Sequence, residues 1–344
     1  MFGAKTTSLL LGKMNVFSCF HPMTRQLQLR RGFRVAVIGA AGGIGQPLSL
    51  LLMKDQRIKE LRLHDVQNVK GVAADLSHVS SPVSVQAMQG PDQIEKAVEC
   101  CDVVVITAGL ARKPGMTREQ LFEVNATIVC GAVSAIAKKS PEAMIVIVTN
   151  PVNSIVPMAA EVLKRNNTYD PKRLFGVTTL DCVRAERFIG EFLNISPTMV
   201  KIPVIGGHAG TTILPIMSQC KPPMKAGREC IASIIKRVQT GGEEIIQAKE
   251  GKGSATLSMA FSANRFVDVL FRGLSGEKTP IEPAYVESSV TDACFFATPL
   301  SFGPKGIATN HGLPRLDKSE EDAMKVAVKE LQRSIQLGVD FVKK

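Results

Sequence analysis

The stretch Arg34-Val35-Ala36-Val37-Ile38-Gly39-Ala40-Ala41-Gly42-Gly43-Ile44-Gly45-Gln46-Pro47-Leu48-Ser49-Leu50-Leu51-Leu52-Met53 decides the fold. Val35–Ile38 is a short unbroken apolar run, the pattern of a strand buried on both faces. It runs into a glycine turn and then into an apolar segment long enough for a helix. In a strand–turn–helix unit each glycine has a job. Gly39 permits the tight turn, Gly42 lets backbone amides approach a pyrophosphate, and Gly45 lets the helix pack closely on the sheet. The helix start offers unpaired N–H groups and the positive end of the helix dipole to phosphates. The spacing G-x-x-G-x-x-G departs from G-x-G-x-x-G, so the string gains its meaning from its surroundings.

Those surroundings agree. Leu61-Arg62-Leu63-His64-Asp65 reads as the second strand, and Asp65 lies 20 residues beyond Gly45. An acid there accepts hydrogen bonds from a ribose diol and repels a 2′-phosphate, which points to NAD rather than NADP; the plainer reading is an ordinary strand-end acid. Val103–Thr107 and Ile145–Thr149 are two more buried-strand runs, and Lys138-Lys139-Ser140-Pro141 stops the helix between them. Alternating strands and helices predict an α/β fold with a doubly wound parallel sheet.

The chain has 344 residues, 42 Lys+Arg against 31 Asp+Glu, and 45% hydrophobic residues, which excludes a mainly disordered chain. No run approaches the ~20 apolar residues of a bilayer span, so no membrane partner is expected. The formal charge of +11 invites a nucleic-acid reading, but residues 1–31 hold Lys5, Lys13, Arg25, Arg30 and Arg31 and no acid. The remaining 313 residues carry 37 basic against 31 acidic side chains, without any nucleic-acid motif. A basic, acid-free start fits a mitochondrial transit peptide removed near residues 31–34. A secretory signal using Leu9–Leu11 competes with it but is interrupted by Lys13, and a bare N-terminal extension is the third reading. The eight cysteines form no C-x-x-C pair and suggest no metal site; they read as small buried hydrophobes in a reducing compartment.

After Thr107 comes Ala108-Gly109-Leu110-Ala111-Arg112-Lys113-Pro114-Gly115-Met116-Thr117-Arg118, at the carboxyl end of a parallel strand, where ligands bind in such sheets. Arg112 and Arg118 suit a carboxylate, whose geometry the guanidinium fork matches. A solvated basic loop is the ordinary alternative. Asn125 and Asn150 are polar groups directed toward the same crevice, though either alone reads as a cap or turn residue. Thr179-Leu180-Asp181-Cys182-Val183-Arg184 opens a helix with Thr179 as its expected cap, and puts Asp181 and Arg184 on one face. Gly206-Gly207-His208-Ala209-Gly210 follows the strand-like Val200–Ile205 and leaves the histidine open to close approach. Together the three make a coherent acid–base set, with Asp181 holding His208 and Arg184 clamping a carboxylate.

These strings, with Gly71-Val72-Ala73-Ala74-Asp75-Leu76-Ser77-His78, Asn150-Pro151-Val152-Asn153 and Gly253-Ser254-Ala255-Thr256-Leu257-Ser258-Met259-Ala260, resemble the malate dehydrogenases of the mitochondrial type from Arg34 to the C-terminus. The resemblance implies reversible NAD-dependent oxidation of (S)-malate to oxaloacetate, a step of the tricarboxylic acid cycle. It implies a Rossmann NAD-binding domain over 34–150, after the targeting segment over 1–33, and a C-terminal mixed α/β substrate domain over 151–344. It also implies a homodimer with Gly71–His78 near the subunit contact, while the basic, acid-free start points to the mitochondrial matrix. Carried onto this chain, Gly39, Ala40, Ala41, Gly42, Gly43, Ile44, Gly45, Asp65, Asn125, Val148, Thr149, Asn150 and Met259 would bind NAD. Arg112, Arg118, Asn150 and Arg184 would bind the dicarboxylate, Arg112 from a closing loop. His208 would move the proton, oriented by Asp181. The chain departs from the family at Ala111, where Pro is usual, at His64 for Tyr, at Cys182 for an aliphatic residue, and over Gly306–Leu316. A dehydrogenase of another 2-hydroxy acid and a catalytically silent paralogue are the rival readings. Arg112 speaks against the first and the intact trio Asp181, Arg184 and His208 against the second.

Overall fold

In the computed structural model the chain is described for Met1, residues 32–110 and residues 118–343, with Arg118 and Glu119 described by their backbone alone. The expected targeting segment, Ala111, Arg112 and the side chain of Arg118 therefore lie outside the described residues, apart from Met1 and the last residues of that segment.

Strand β1 (Phe33–Ile38) feeds the glycine turn and helix α1 (Gly45–Leu52), then β2 (Ile58–Asp65), α2 (Val69–Ser77), β3 (Ser84–Gln89) and the short α3 (Ile94–Val98). β4 (Val103–Ile106), α4 (Arg118–Lys139), β5 (Met144–Ile147), α5 (Val152–Arg165) and β6 (Leu174–Val177) continue the alternation. These six strands run parallel in the order β3-β2-β1-β4-β5-β6, which makes the doubly wound parallel sheet expected from the sequence. β4, β5 and β6 are buried at every position, which is why they read as unbroken apolar runs.

Helix α6 (Thr179–Leu193) leaves the sixth strand. β7 (Val204–Gly206), β8 (Ile213–Pro215), α7 (Arg228–Ala248), α8 (Leu257–Leu274), β9 (Glu282–Glu287), β10 (Phe295–Gly303), β11 (Gly306–Asn310) and α9 (Lys318–Lys343) complete the chain. The later strands join the same sheet through β6, in the order β6-β9-β10-β7-β8, and every added pairing is antiparallel. The sheet is thus mixed in its second half, as expected. Phe175, Phe266 and Phe302 lock β6, α8 and β10 together with ring centroids 5.6–5.7 Å apart.

Several local expectations need correcting. The strand expected over Val200–Ile205 is confined to Val204–Gly206, because Pro203 cannot donate to a ladder; Lys201 makes only an isolated bridge to Lys221. Thr179 is not a cap but the first helical residue, and Thr178 at the cap position makes no side-chain capping bond. Cys101, Cys182 and Cys220 are buried as expected, whereas Cys100 and Cys294 are exposed. Against the statement that no run could span a bilayer, Gln120–Lys139 within α4 is long and apolar enough by composition. That stretch is 56% buried inside the fold, the setting of a core helix.

Candidate active site

The glycine turn is built as the sequence requires. Gly39 has φ +90°, and a Cβ there would lie 2.5 Å from the Ala108 nitrogen. A Cβ on Gly45 would stand 2.1 Å from the Gly39 carbonyl oxygen, so only glycine lets α1 begin against the turn. The Gly39 and Ala40 amides donate to the His64 carbonyl, at 2.9 and 3.0 Å, tying the turn to the end of β2. Asp65 completes the tie. Its carboxylate accepts the Ala41 amide at 2.9 Å and the Val66 amide at 2.8 Å, one on each oxygen. Lone pairs remain for a ribose diol. His64, where the family has Tyr, is buried and donates from Nε2 to the Gly90 carbonyl at 3.0 Å. Burial lowers its pKa from the ordinary histidine value, against the Gly90 bond and the nearby Asp65 and Asp92.

A cavity of about 360 Å³ starts at this turn and ends at His208, a size usual for small-molecule sites. Of the residues expected to bind NAD, Gly39, Gly42, Gly43, Ile44, Asn125, Val148, Thr149, Asn150 and Met259 line it. Ala40, Ala41, Gly45 and Asp65 are not among the residues that line it. Bare glycine faces, free amides at the start of α1 and an acid at the end of β2 fit a dinucleotide. Asn125, in the interior of α4, uses its amide to join two strand ends. It accepts the Leu110 amide at 2.7 Å and donates to the Asn150 carbonyl at 2.8 Å.

At the far end α6 carries Asp181 and Arg184, and the turn after β7 carries His208. His208 Nδ1 lies 2.6 Å from Asp181 Oδ2, and Arg184 Nη1 lies 3.7 Å from Asp181 Oδ1. Asp181 is fully buried, and its Oδ1 has no hydrogen-bond partner among the described residues. Burial lowers the pKa of the Arg184 guanidinium from its ordinary value, while Asp181 and Glu244 pull it upward. Cys182, the departure beside the site, points away from the cavity into a separate core with Ala185, Ile189 and Val238. There burial pushes its thiol pKa well above the ordinary value.

Two groups of residues escaped the sequence reading. Asn153 accepts the His208 amide at 2.8 Å and donates to Thr212 Oγ1 at 3.2 Å, fixing the turn that presents the histidine. The Asn150-Pro151-Val152-Asn153 string was its only signal. From α7, Gln239, Gly242, Glu243 and Ile246 form one wall of the cavity. Nothing in their spacing marks them, because α7 gives one face to the core through Val238 and these four positions to the cavity.

A family model for the lactate/malate dehydrogenase NAD binding domain matches residues 33–176, and one for the lactate/malate dehydrogenase alpha/beta C-terminal domain matches residues 178–342. The chain is 47% identical over 323 residues to mitochondrial malate dehydrogenase of Rattus norvegicus and of Homo sapiens, covering 92% of this chain and 96% of each relative. Among solved structures it is similar to the apo malate dehydrogenase of Picrophilus torridus, with TM-score 0.80, 26% identity and 90% and 98% of the two chains covered. The malate dehydrogenase of Cryptosporidium parvum gives TM-score 0.79 at 26% identity, covering 91% and 100%. With both halves matched and nearly the whole length aligned, the chain belongs to the lactate/malate dehydrogenase family.

Proposed function

We propose that this chain is an NAD-dependent malate dehydrogenase, interconverting (S)-malate and oxaloacetate. The observation that carries the reading is the 2.6 Å contact of His208 with buried Asp181, beside Arg184, in the cavity that begins at the glycine turn. The His208 Nδ1–H donates to Asp181, which leaves Nε2 to work on the substrate. In the malate direction Nε2 takes the C2 hydroxyl proton; in the other it returns that proton to the carbonyl oxygen of oxaloacetate. Asp181 fixes the tautomer and stabilises the imidazolium that forms. NAD, when bound, supplies the two-electron hydride chemistry. Arg184 holds the carboxylate next to C2, with Asn150 beside it, and Arg112 and Arg118 take the distal carboxylate. Residues 34–150 form the NAD-binding domain and residues 151–344 the substrate domain, the first lending Arg112, Arg118 and Asn150 to the substrate and the second Met259 to the cofactor.

A dicarboxylate is favoured over a neutral 2-hydroxy acid because an apolar substituent would leave the Arg112 cation without a partner. Addition of NADH with oxaloacetate tests the reading: rapid loss of absorbance is expected, with much slower loss for pyruvate or for NADPH. Comparable turnover of pyruvate assigns the chain to another 2-hydroxy acid, and no turnover of any 2-oxo acid supports the silent paralogue.

A homodimer and a matrix location belong to the same proposal. α1 and α8 pack on each other and expose Leu50, Leu257 and Phe261 at 50, 74 and 55%, an apolar face suited to a second copy. On α2, Gly71 has nothing within 4 Å of a would-be Cβ, so a partner could approach it closely. Sedimentation equilibrium reads the oligomer, and mass spectrometry of the native N-terminus reads removal of the basic segment.

A further inference from the structure

Helix α7 has two adjacent glycines, Gly241 and Gly242, in the middle of its 21 residues. Glycine is the poorest helix former after proline, so an adjacent pair weakens the helix unless the missing side chains serve something. Gly241 faces the side chain of Arg184, and Gly242 faces the cavity. A Cβ on Gly241 would stand 3.0 Å from Nε, 3.1 Å from Cδ and 3.3 Å from Cζ of Arg184. The guanidinium therefore lies against bare helix backbone. It is only 13% exposed and is held on its other side near Asp181, so it has little freedom to retreat. Gly242 lines the cavity, and a Cβ there would meet nothing within 4 Å. Next in the chain, Glu243 lines the same cavity, and its carboxylate has no partner among the described residues. Its neighbour Glu244 is bound by Arg237 at 3.2 Å and acts on Arg184 from outside the cavity lining.

We propose that this segment of α7 is a specificity-determining wall of the site, in which Gly241 seats the substrate-clamping Arg184 and Glu243 sets the charge that an incoming dianion meets. The inference rests on the malate reading above and assigns two residues to it. Gly241 is a positioning residue acting through Arg184: a methyl group there displaces the fork by a few tenths of an ångström and misaligns its two donors against a carboxylate. Glu243 works at longer range. Its negative charge weakens binding of a substrate with two carboxylates more than of one with a single carboxylate, and so tempers the preference created by the arginines.

Two variants test this. Gly241→Ala raises the KM for oxaloacetate about three- to tenfold, with kcat within about twofold and NADH affinity unchanged. Its melting temperature stays level or rises, because alanine is the better helix former. A merely structural glycine would give the same thermal result with KM unmoved, and that outcome overturns the seat. Glu243→Gln lowers the KM for oxaloacetate roughly threefold at low salt and leaves that for pyruvate unchanged, the gain shrinking as salt is added. Equal changes for both substrates, or none, overturn the charge assignment. Wild-type turnover separates this inference from its parent. If the wild type fails to reduce oxaloacetate, the malate reading falls. Calorimetric titration of the NADH-loaded chain with malate then reads the same shifts as Kd values, and unchanged values overturn the wall.

Discussion

His208 Nδ1 and Asp181 Oδ2 are 2.6 Å apart, though one residue sits in a glycine turn after a three-residue strand and the other in the first turn of a helix. The pair is held from both ends. Asn153 accepts the His208 amide, and the fully buried Asp181 can hardly move. A short hydrogen bond in such a setting fixes the imidazole tautomer and ring orientation.

Replacing Asp181 by Asn keeps the shape of this pair and removes the charge. We expect kcat for oxaloacetate reduction to fall on the order of 10²–10⁴-fold, with little change in NADH affinity measured by fluorescence. Retention of more than a tenth of the wild-type kcat would remove Asp181 from the mechanism.

Cofactor choice rests on Asp65. Its carboxylate is anchored by the Ala41 and Val66 amides and stays at the end of β2, where a 2′-phosphate would meet a fixed negative charge. Asp65→Ser removes the charge and retains a hydrogen-bonding group. The ratio of kcat/KM for NADH over NADPH should drop by at least about tenfold. An unchanged ratio would show that the discrimination lies elsewhere.

The turn that carries Asp65 also makes stability depend on pH. His64 is buried, and burial lowers its pKa. The unfolded chain therefore takes up this proton more readily than the fold does. The contribution is intact above the unfolded histidine value, about 6.5, and is lost as pH falls from there through the lowered folded value. Urea unfolding between pH 7.5 and 5.5 should show wild-type stability declining more steeply than that of His64→Gln. Parallel declines would mean that His64 does not drive the loss.

Much of this was legible in the chain, for physical reasons. Val35–Ile38, Val103–Ile106 and Ile145–Ile147 are buried on both faces, and such strands must be written as apolar runs. Gly39 and Gly45 are required by a positive φ and by a 2.1 Å approach, so they could be read as glycine turn and close packing. The antiparallel strands of the second half were less visible. Pro283 and Pro299 stand inside β9 and β10, and buried Glu282 breaks any simple alternation. Asp181, Arg184 and His208 were legible as a set because each residue type serves one step of the chemistry. Asn153 and the α7 wall were not, since they act by holding a turn and by leaving space. Neither task leaves a mark in spacing or composition.

The central claim is that His208 moves the proton, and His208→Gln tests it most directly. Single-turnover reduction of oxaloacetate by enzyme-bound NADH, followed by stopped-flow absorbance, should slow on the order of 10²–10⁴-fold, while NADH binds with wild-type affinity. A rate within a few-fold of the wild type, with NADH bound, would contradict the account.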